Sequence, residues 1–538
     1  MSTHKLVAIG IDSPSARLFD EWLSSGLLPN IGKIAAAGTK ARYSHTKKFR
    51  NERCWTIFLS GCDSESAGAV FVPEDYSYYH PSLQRDPAPL FYELGEDFRV
   101  CAFDIPARLS ARVNGVQVSG WGSEFNASLQ LSDPPDLLAR LIERHGGDPK
   151  ADGAMKVFDV VSSEEEHSYR NPNLYDVASL RHFACQLEIA VQRRTEICLD
   201  LLNRENWDLF LSVFVEGHTA NHLFWNAGRP HPFRCAFNAD EDPMMRTIQA
   251  IDNGIGKIAR SLSDECTLVV YTIDDTGENL MDLPSMALLP ELLYRWNFPD
   301  RRALRDAGTS SPVPRLRDNY SDHWKFEVWF QTTDHGRDVL RSPERLEAEG
   351  EALNWNPAMW YQGLWPHMSA FALPSVADGH IRINLVGREA NGLVAPEDFS
   401  KILQEIEAML SELVDPRDGT KVVERVIRVR EDPHTKREIP PDLIVCWRRS
   451  RPFDTVDSPM LGRVGPLPFF RSGGHKQHGE QVTNVLFAHG PGLAAGAEVN
   501  QGHLRDVPAT LLALIGAEPP MGMEGRPLFT PYENATTA

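Results

Sequence analysis

Apolar residues follow two rhythms along this chain. Residues 6–11, 208–215 and Thr267–Ile273 are short, nearly continuous apolar runs, the pattern of strands buried on both faces of a parallel sheet. Between them the apolar positions recur at helical spacing. Leu18, Phe19, Trp22 and Leu23 precede a stop at Gly26, residues 30–37 end at Gly38, and longer helices are predicted over about 177–202 and 244–262. Residues 41–44 predict a strand and 54–59 the first turns of another helix. From about 281 to 374 the rhythm loosens, Pro, Arg and Trp become frequent, and the polar stretch 301–322 predicts a long loop. Regular patterning returns with a strand at 380–385, a helix at 396–413, strands at Leu443–Trp447 and 485–488, and a helix at 507–515. Strands alternating with long helices predict an α/β fold with a mostly parallel central sheet sandwiched between helices. The expected organisation is an N-terminal part of the α/β core over 1–280, an inserted cap region over 281–380 and a C-terminal part of the core over 381–538.

Composition narrows the function. The 538 residues carry 55 Lys and Arg against 74 Asp and Glu, a formal charge of −19, so a nucleic-acid polymer or an anionic membrane is not an expected partner. Eight cysteines include no C-x-x-C pair, which fits a reducing compartment and excludes a zinc ribbon or thioredoxin motif. No signal peptide is read at the N-terminus, and no apolar run reaches the roughly 18 residues that suggest a membrane helix. A cytoplasmic location is expected.

Ligand sites in open α/β sheets lie beyond the carboxyl ends of the strands. Asp12 ends the first predicted strand. Glu216, His218 and His222 follow the second, Asp274 and Asp275 follow the third, and a glycine-flanked loop at 473–479 carries His475 and His478. Taken singly, each has a plain alternative. Asp12 suits a helix N-cap, Asp274 and Asp275 suit a turn, and histidines four apart are common on helices. Together, carboxylates and imidazoles at several strand ends are the donor set of a divalent metal with mixed nitrogen and oxygen ligands.

Several segments in order carry a family resemblance: V-A-I-G-I-D-S at 7–13, G-L-L-P-N-I-G-K-I-A-A-A-G-T at 26–39, C-W-T-I-F-L-S-G at 54–61, E-G-H-T-A-N-H-L-F-W at 216–225, I-R-I-N-L-V-G-R-E at 381–389, G-G-H-K-Q-H-G at 473–479, H-G-P-G-L at 489–493 and D-V-P-A-T-L-L-A-L-I-G at 506–516. The chain resembles the type I phosphodiesterase/nucleotide pyrophosphatase branch of the alkaline phosphatase superfamily. The stretch from about 285 to 375 carries little of the likeness. In that family two metal ions, commonly zinc, flank a Thr or Ser nucleophile at a helix N-terminus. The resemblance implies that Asp12 serves the metal beside the nucleophile, and that His222 and His475 bind the other.

The departures matter as much. The aspartate of the family's Asp-x-x-x-His pair falls on His218, leaving Glu216 as the nearest carboxylate. The Asp-His-Gly motif reads Asp274-Asp275-Thr276, and the nucleophile position is Asn51. Cys54, Ser44 and Thr46 are the neighbouring substitutes, and an amide is no useful nucleophile. Asn51 is therefore expected to coordinate, cap or donate to substrate. Arg50 and Arg53 are expected to hold an anionic substrate, whereas Lys47 and Lys48 read as a solvated loop.

The expectation is a metal-dependent hydrolase of a phosphodiester, nucleotide or related small anionic ester, acting through water. Glu216, His222 and His475 would hold one ion; Asp12, Asp274 and Asp275 would hold a second; His218 and His478 are candidate proton carriers. Zinc is the first expectation for one or two ions, with manganese and iron suited to the same donors. The altered nucleophile also leaves open a repurposed transferase, lyase or biosynthetic catalyst, or a non-catalytic ligand-binding descendant.

Overall fold

The first strand shows how the core is divided. In Leu6–Asp12, side chains alternate between faces: Val7, Ile9 and Ile11 enter one apolar cluster, and Leu6 and Ala8 enter another. Both clusters are fully buried, so the strand tolerates no polar residue until its last position, Asp12. Removing one such branched side chain from water contributes about 1.5–3 kcal/mol.

The computed structural model describes residues 5–48, 53–63, 88–122, 130–150, 174, 176–233, 237–238, 240–306, 324–349, 351, 353–435, 441–469 and 471–531. The strands are β1 (Leu6–Asp12), β2 (Thr39–Thr46), β3 (Gly95–Phe103), β4 (Val113–Ser119), β5 (Leu131–Asp133), β6 (Leu209–Phe214), β7 (Thr267–Ile273) and β8 (Thr276–Glu278). They continue with β9 (Ala370–Leu373), β10 (Gly379–Ile383), β11 (Val423–Arg428), β12 (Leu443–Trp447), β13 (Val456–Ser458), β14 (Gly462–Val464), β15 (Gly473–His475), β16 (Gln481–His489) and β17 (Glu498–Val499).

Among the described residues the main sheet has nine strands in the order β17-β2-β16-β7-β1-β6-β3-β4-β5. Its centre is parallel, with β1 between β6 and β7, while β16 runs antiparallel to both β7 and β2. Helices cover both faces. Ala16–Ser24, Val177–Arg204 and Pro243–Ser261 pack on one side, and Arg53–Ser60 and Asp506–Ile515 pack on the other. Buried Asp252 fixes this packing by accepting from the backbone N–H groups of Asn30 and Ile31, at the start of the Pro29–Ala37 helix. The expected α/β class, with its mostly parallel sheet between helices, is what the chain adopts.

A second unit departs from the expected boundaries. The four strands β11-β12-β10-β9 form an antiparallel sheet, and its apolar cluster runs from Leu174 and Leu280 to Phe469. Position 380 lies inside this sheet, in β10, which pairs with β9. The unit therefore takes in most of 281–469, and the chain rejoins the main sheet through β16. Loose periodicity over 281–374 reflects short helices packed by Trp360, Trp365 and Tyr361. The loop predicted over 301–322 lies outside the described residues from 307 onward. Among the described residues no helix is long and apolar enough to cross a membrane.

Candidate functional site

Strands β1 and β7 end side by side, and each hands over to a residue with positive φ: Ser13 at 47° and Asp274 at 63°. L-residues seldom adopt this region, so the backbone there is strained, and the turn aims the neighbouring carboxylates across the sheet edge. Opposite them runs the Glu216–Phe224 helix, which begins directly after β6 and is buried along its whole length. Asn221 binds it to the strand end by donating to the Ser13 carbonyl at 2.7 Å.

His218 and His222, four residues apart on that helix, share a face and meet His475 from β15. The ligand-capable atoms of these three buried side chains lie within 4.8 Å of one another, a group that could hold a metal ion. β15 comes this close because Gly473 has no side chain: a Cβ there would sit 2.0 Å from the Asn221 carbonyl oxygen.

The partners of each ring determine its tautomer. His218 Nδ1 faces Asp12 Oδ2 at 3.0 Å and His222 Nδ1 faces the Gly473 carbonyl at 2.9 Å, so both Nδ1 atoms carry the hydrogen. His475 Nδ1 lies 3.3 Å from Asp274 Oδ2, an ion-pair distance that favours the same tautomer. The Nε2 atoms of His218 and His475 stand 3.2 Å apart. At that separation either one ring donates to the other or a cation lies between them. Burial, with Arg471 and the other two imidazoles adding to it, pushes His222 well below the ordinary imidazole value. Burial pushes His475 down to about 4 despite the opposing pull of Asp274. Neutral rings are the form that ligates.

The remaining predicted residues fall differently. Glu216 is not beside the imidazoles. Its carboxylate, fully buried, accepts from Arg194 Nε at 2.8 Å, and Arg194 also holds Asp104 at 2.9 Å. The carboxylate expected on that metal is thus an ion-pair partner in the core, and the residue that joins His222 and His475 in a group able to hold an ion is His218. Asp275 accepts from the Ala16 backbone N–H at 2.9 Å and lies 3.4 Å from Lys476 Nζ. It, rather than Asp12, caps the Ala16–Ser24 helix. Asp12 instead accepts from Ser13 Oγ at 3.2 Å besides facing His218.

His478 stands apart from the cluster, its backbone N–H donating to Asp378 at 2.7 Å and its carbonyl accepting from Arg425. Arg50 and Asn51 lie outside the described residues, and Arg53 opens the Arg53–Ser60 helix. Cys54 is buried in the apolar cluster on that face of the sheet.

Lys47 overturns its reading as a solvated loop residue. It is 1% exposed, and its Nζ contacts both oxygens of Asp274, at 2.9 and 3.1 Å. Burial alone would raise the Asp274 carboxyl, but Lys47, with His475, holds it well below the usual carboxylate range. No pattern local to residue 47 announces this contact, since the partner is 227 positions away.

Comparison with protein-family models and with curated proteins returns no match.

Proposed function

We propose that this chain is a metal-dependent hydrolase of small anionic esters, phosphodiesters and nucleotides foremost, on a fold akin to that of the alkaline phosphatase superfamily. The observation that carries the reading is the convergence of three buried imidazoles whose ligand-capable atoms lie within 4.8 Å of one another. Zinc suits this donor set: it takes three protein nitrogens at about 2.0–2.1 Å and leaves a fourth position for reactant. Tetrahedral geometry at that bond length puts nitrogens about 3.4 Å apart, close to the 3.2 Å already present between His218 and His475.

A divalent ion bound there would supply Lewis acidity toward a phosphoryl oxygen and lower the pKa of water. The chain's own residues do the rest. Asp12 and the Gly473 carbonyl hold two Nδ1 hydrogens and so keep two rings in the ligating tautomer. The strained turns at Ser13 and Asp274 keep both carboxylates at the rim of the cluster. With an amide at position 51, direct attack by water is favoured over a covalent phospho-enzyme.

Elemental mass spectrometry of the purified, unchelated protein tests this, with a His222→Ala/His475→Ala variant in parallel. Bound metal that disappears in the variant is expected, together with turnover of bis-p-nitrophenyl phosphate that follows metal content. A wild type that stays metal-free after incubation with zinc and manganese would sink the reading. A phosphorylated enzyme recovered by single-turnover quenching would contradict the direct-water step.

A further inference from the structure

The resemblance implies two metal ions, and the residues expected to hold the second are Asp12, Asp274 and Asp275. All six of their carboxylate oxygens are engaged by the protein. Asp12 offers Oδ1 to the Ser13 hydroxyl and Oδ2 to His218 Nδ1. Asp275 offers Oδ1 to the backbone N–H of Ala16 and lies with Oδ2 against Lys476 Nζ. Asp274 gives both oxygens to the Lys47 ammonium, and its Oδ1 also accepts from the Asp275 N–H at 2.8 Å. Among the described residues, the group with the donors and spacing for a metal is the three histidines.

A buried ammonium within 3.1 Å of both oxygens of a carboxylate is a cation bound by its ligand. Lys47 reaches that place because β2 ends at Thr46 and the Lys47 backbone is pinned, its N–H donating to the Glu480 carbonyl and its carbonyl accepting from Gly479. The side chain then spans from the edge strands to the end of β7. Asp274 Oδ2, which holds the ammonium, also lies 3.3 Å from His475 Nδ1, so one carboxylate joins Lys47 to the imidazole cluster.

We infer that the Lys47 ammonium stands in the place of the second metal ion, so that the centre is mononuclear: one divalent cation on His218, His222 and His475, and one covalently attached cation on Asp274. This rests on the reading that the imidazoles bind metal. A fixed ammonium differs from a metal in kind. It supplies one positive charge and hydrogen-bond donors and offers no open coordination position.

The full-length protein, stripped by chelation, is titrated with Mn²⁺ and with Zn²⁺, and bound metal is read by equilibrium dialysis and elemental mass spectrometry. One ion per chain is expected for the wild type and for Lys47→Arg, and two for Lys47→Ala, where Asp274 is released. Two ions in the wild type would overturn the inference while leaving the imidazole site intact. One ion in both wild type and Lys47→Ala would remove Lys47 from the role. No ion in the wild type would overturn the proposed function, and this inference with it. Should Lys47→Ala fail to fold, electron paramagnetic resonance of the Mn²⁺-saturated wild type decides: an isolated six-line signal is expected, and a spin-coupled manganese pair refutes it.

Discussion

Glu216 and His218 sit two residues apart on one helix, and their side chains serve different ends. At 3.6 residues per turn they point roughly 200° apart, so a helix that aims His218 and His222 at the site must aim Glu216 into the core. There it meets Arg194, and both side chains are wholly buried. Phase alone, legible from the sequence, would have removed Glu216 from the ligand set; nearness in sequence to His218 and His222 was the weaker guide. Glu216→Ala is expected to leave metal content per folded molecule unchanged. It should still destabilise the fold by about 3 kcal/mol, because the buried Arg194 guanidinium keeps Asp104 but loses the carboxylate on its Nε. Urea unfolding with parallel metal analysis checks both halves, and loss of metal from a fully folded variant would restore Glu216 as a ligand. Lys47 is the opposite case. Its environment comes from β2 lying two strands from β7 in the sheet, and that order is not written in any local pattern.

Elements buried on both sides were legible nearly to the residue. Thr267–Ile273 and Leu443–Trp447 are strands over the predicted bounds, because a continuous apolar run flanked by polar residues has few other solutions. β15 was not legible: three residues of a glycine-flanked segment become a strand by pairing with β8, almost two hundred positions away. Its approach to the helix requires Gly473. Gly473→Ala would force a Cβ against the Asn221 carbonyl, push β15 outward and take with it the His222 partner and His475. Metal affinity is expected to fall by about 10–100-fold, the usual consequence of disturbing the groups that orient ligating histidines. Equilibrium dialysis measures it, and an unchanged affinity would mean that the strand is not what places the rings.

The turn between β9 and β10 carries a second test. Burial holds the Asp378 carboxyl up at about 7, against the pull of the His478 backbone N–H. Between the unfolded value of about 3.9 and about 7, the folded state keeps a proton that the unfolded state has released. Stability from this group is therefore complete at acid pH and is lost as pH rises to about 7, levelling off above. Asp378→Asn should gain on the wild type by up to about 4 kcal/mol between pH 4 and pH 8, read from denaturant midpoints at both ends. A gap independent of pH would refute the protonated carboxyl.

At the scale of the whole molecule, an ion held by the three imidazoles would act as a cross-link. His218 and His222 belong to a helix that leaves the central strand β6, and His475 belongs to a short strand just before the chain re-enters the sheet at β16. Asp12 extends the connection to β1. An ion bound to all three rings joins segments about 250 positions apart and binds the folded chain alone, because the unfolded chain cannot assemble the set. Mass action then stabilises the fold by about 2.7 kcal/mol when free metal is a hundredfold above its dissociation constant. For a chain this long that corresponds to a rise of a few degrees in Tm. Chelation of the wild type should therefore lower Tm by a few degrees and readdition of Zn²⁺ should restore it, with the size of the shift growing with metal concentration. His222→Ala should melt at one temperature whether or not chelator is present. A chelator effect that persists in that variant would place the stabilising ion elsewhere in the molecule and separate it from the three histidines.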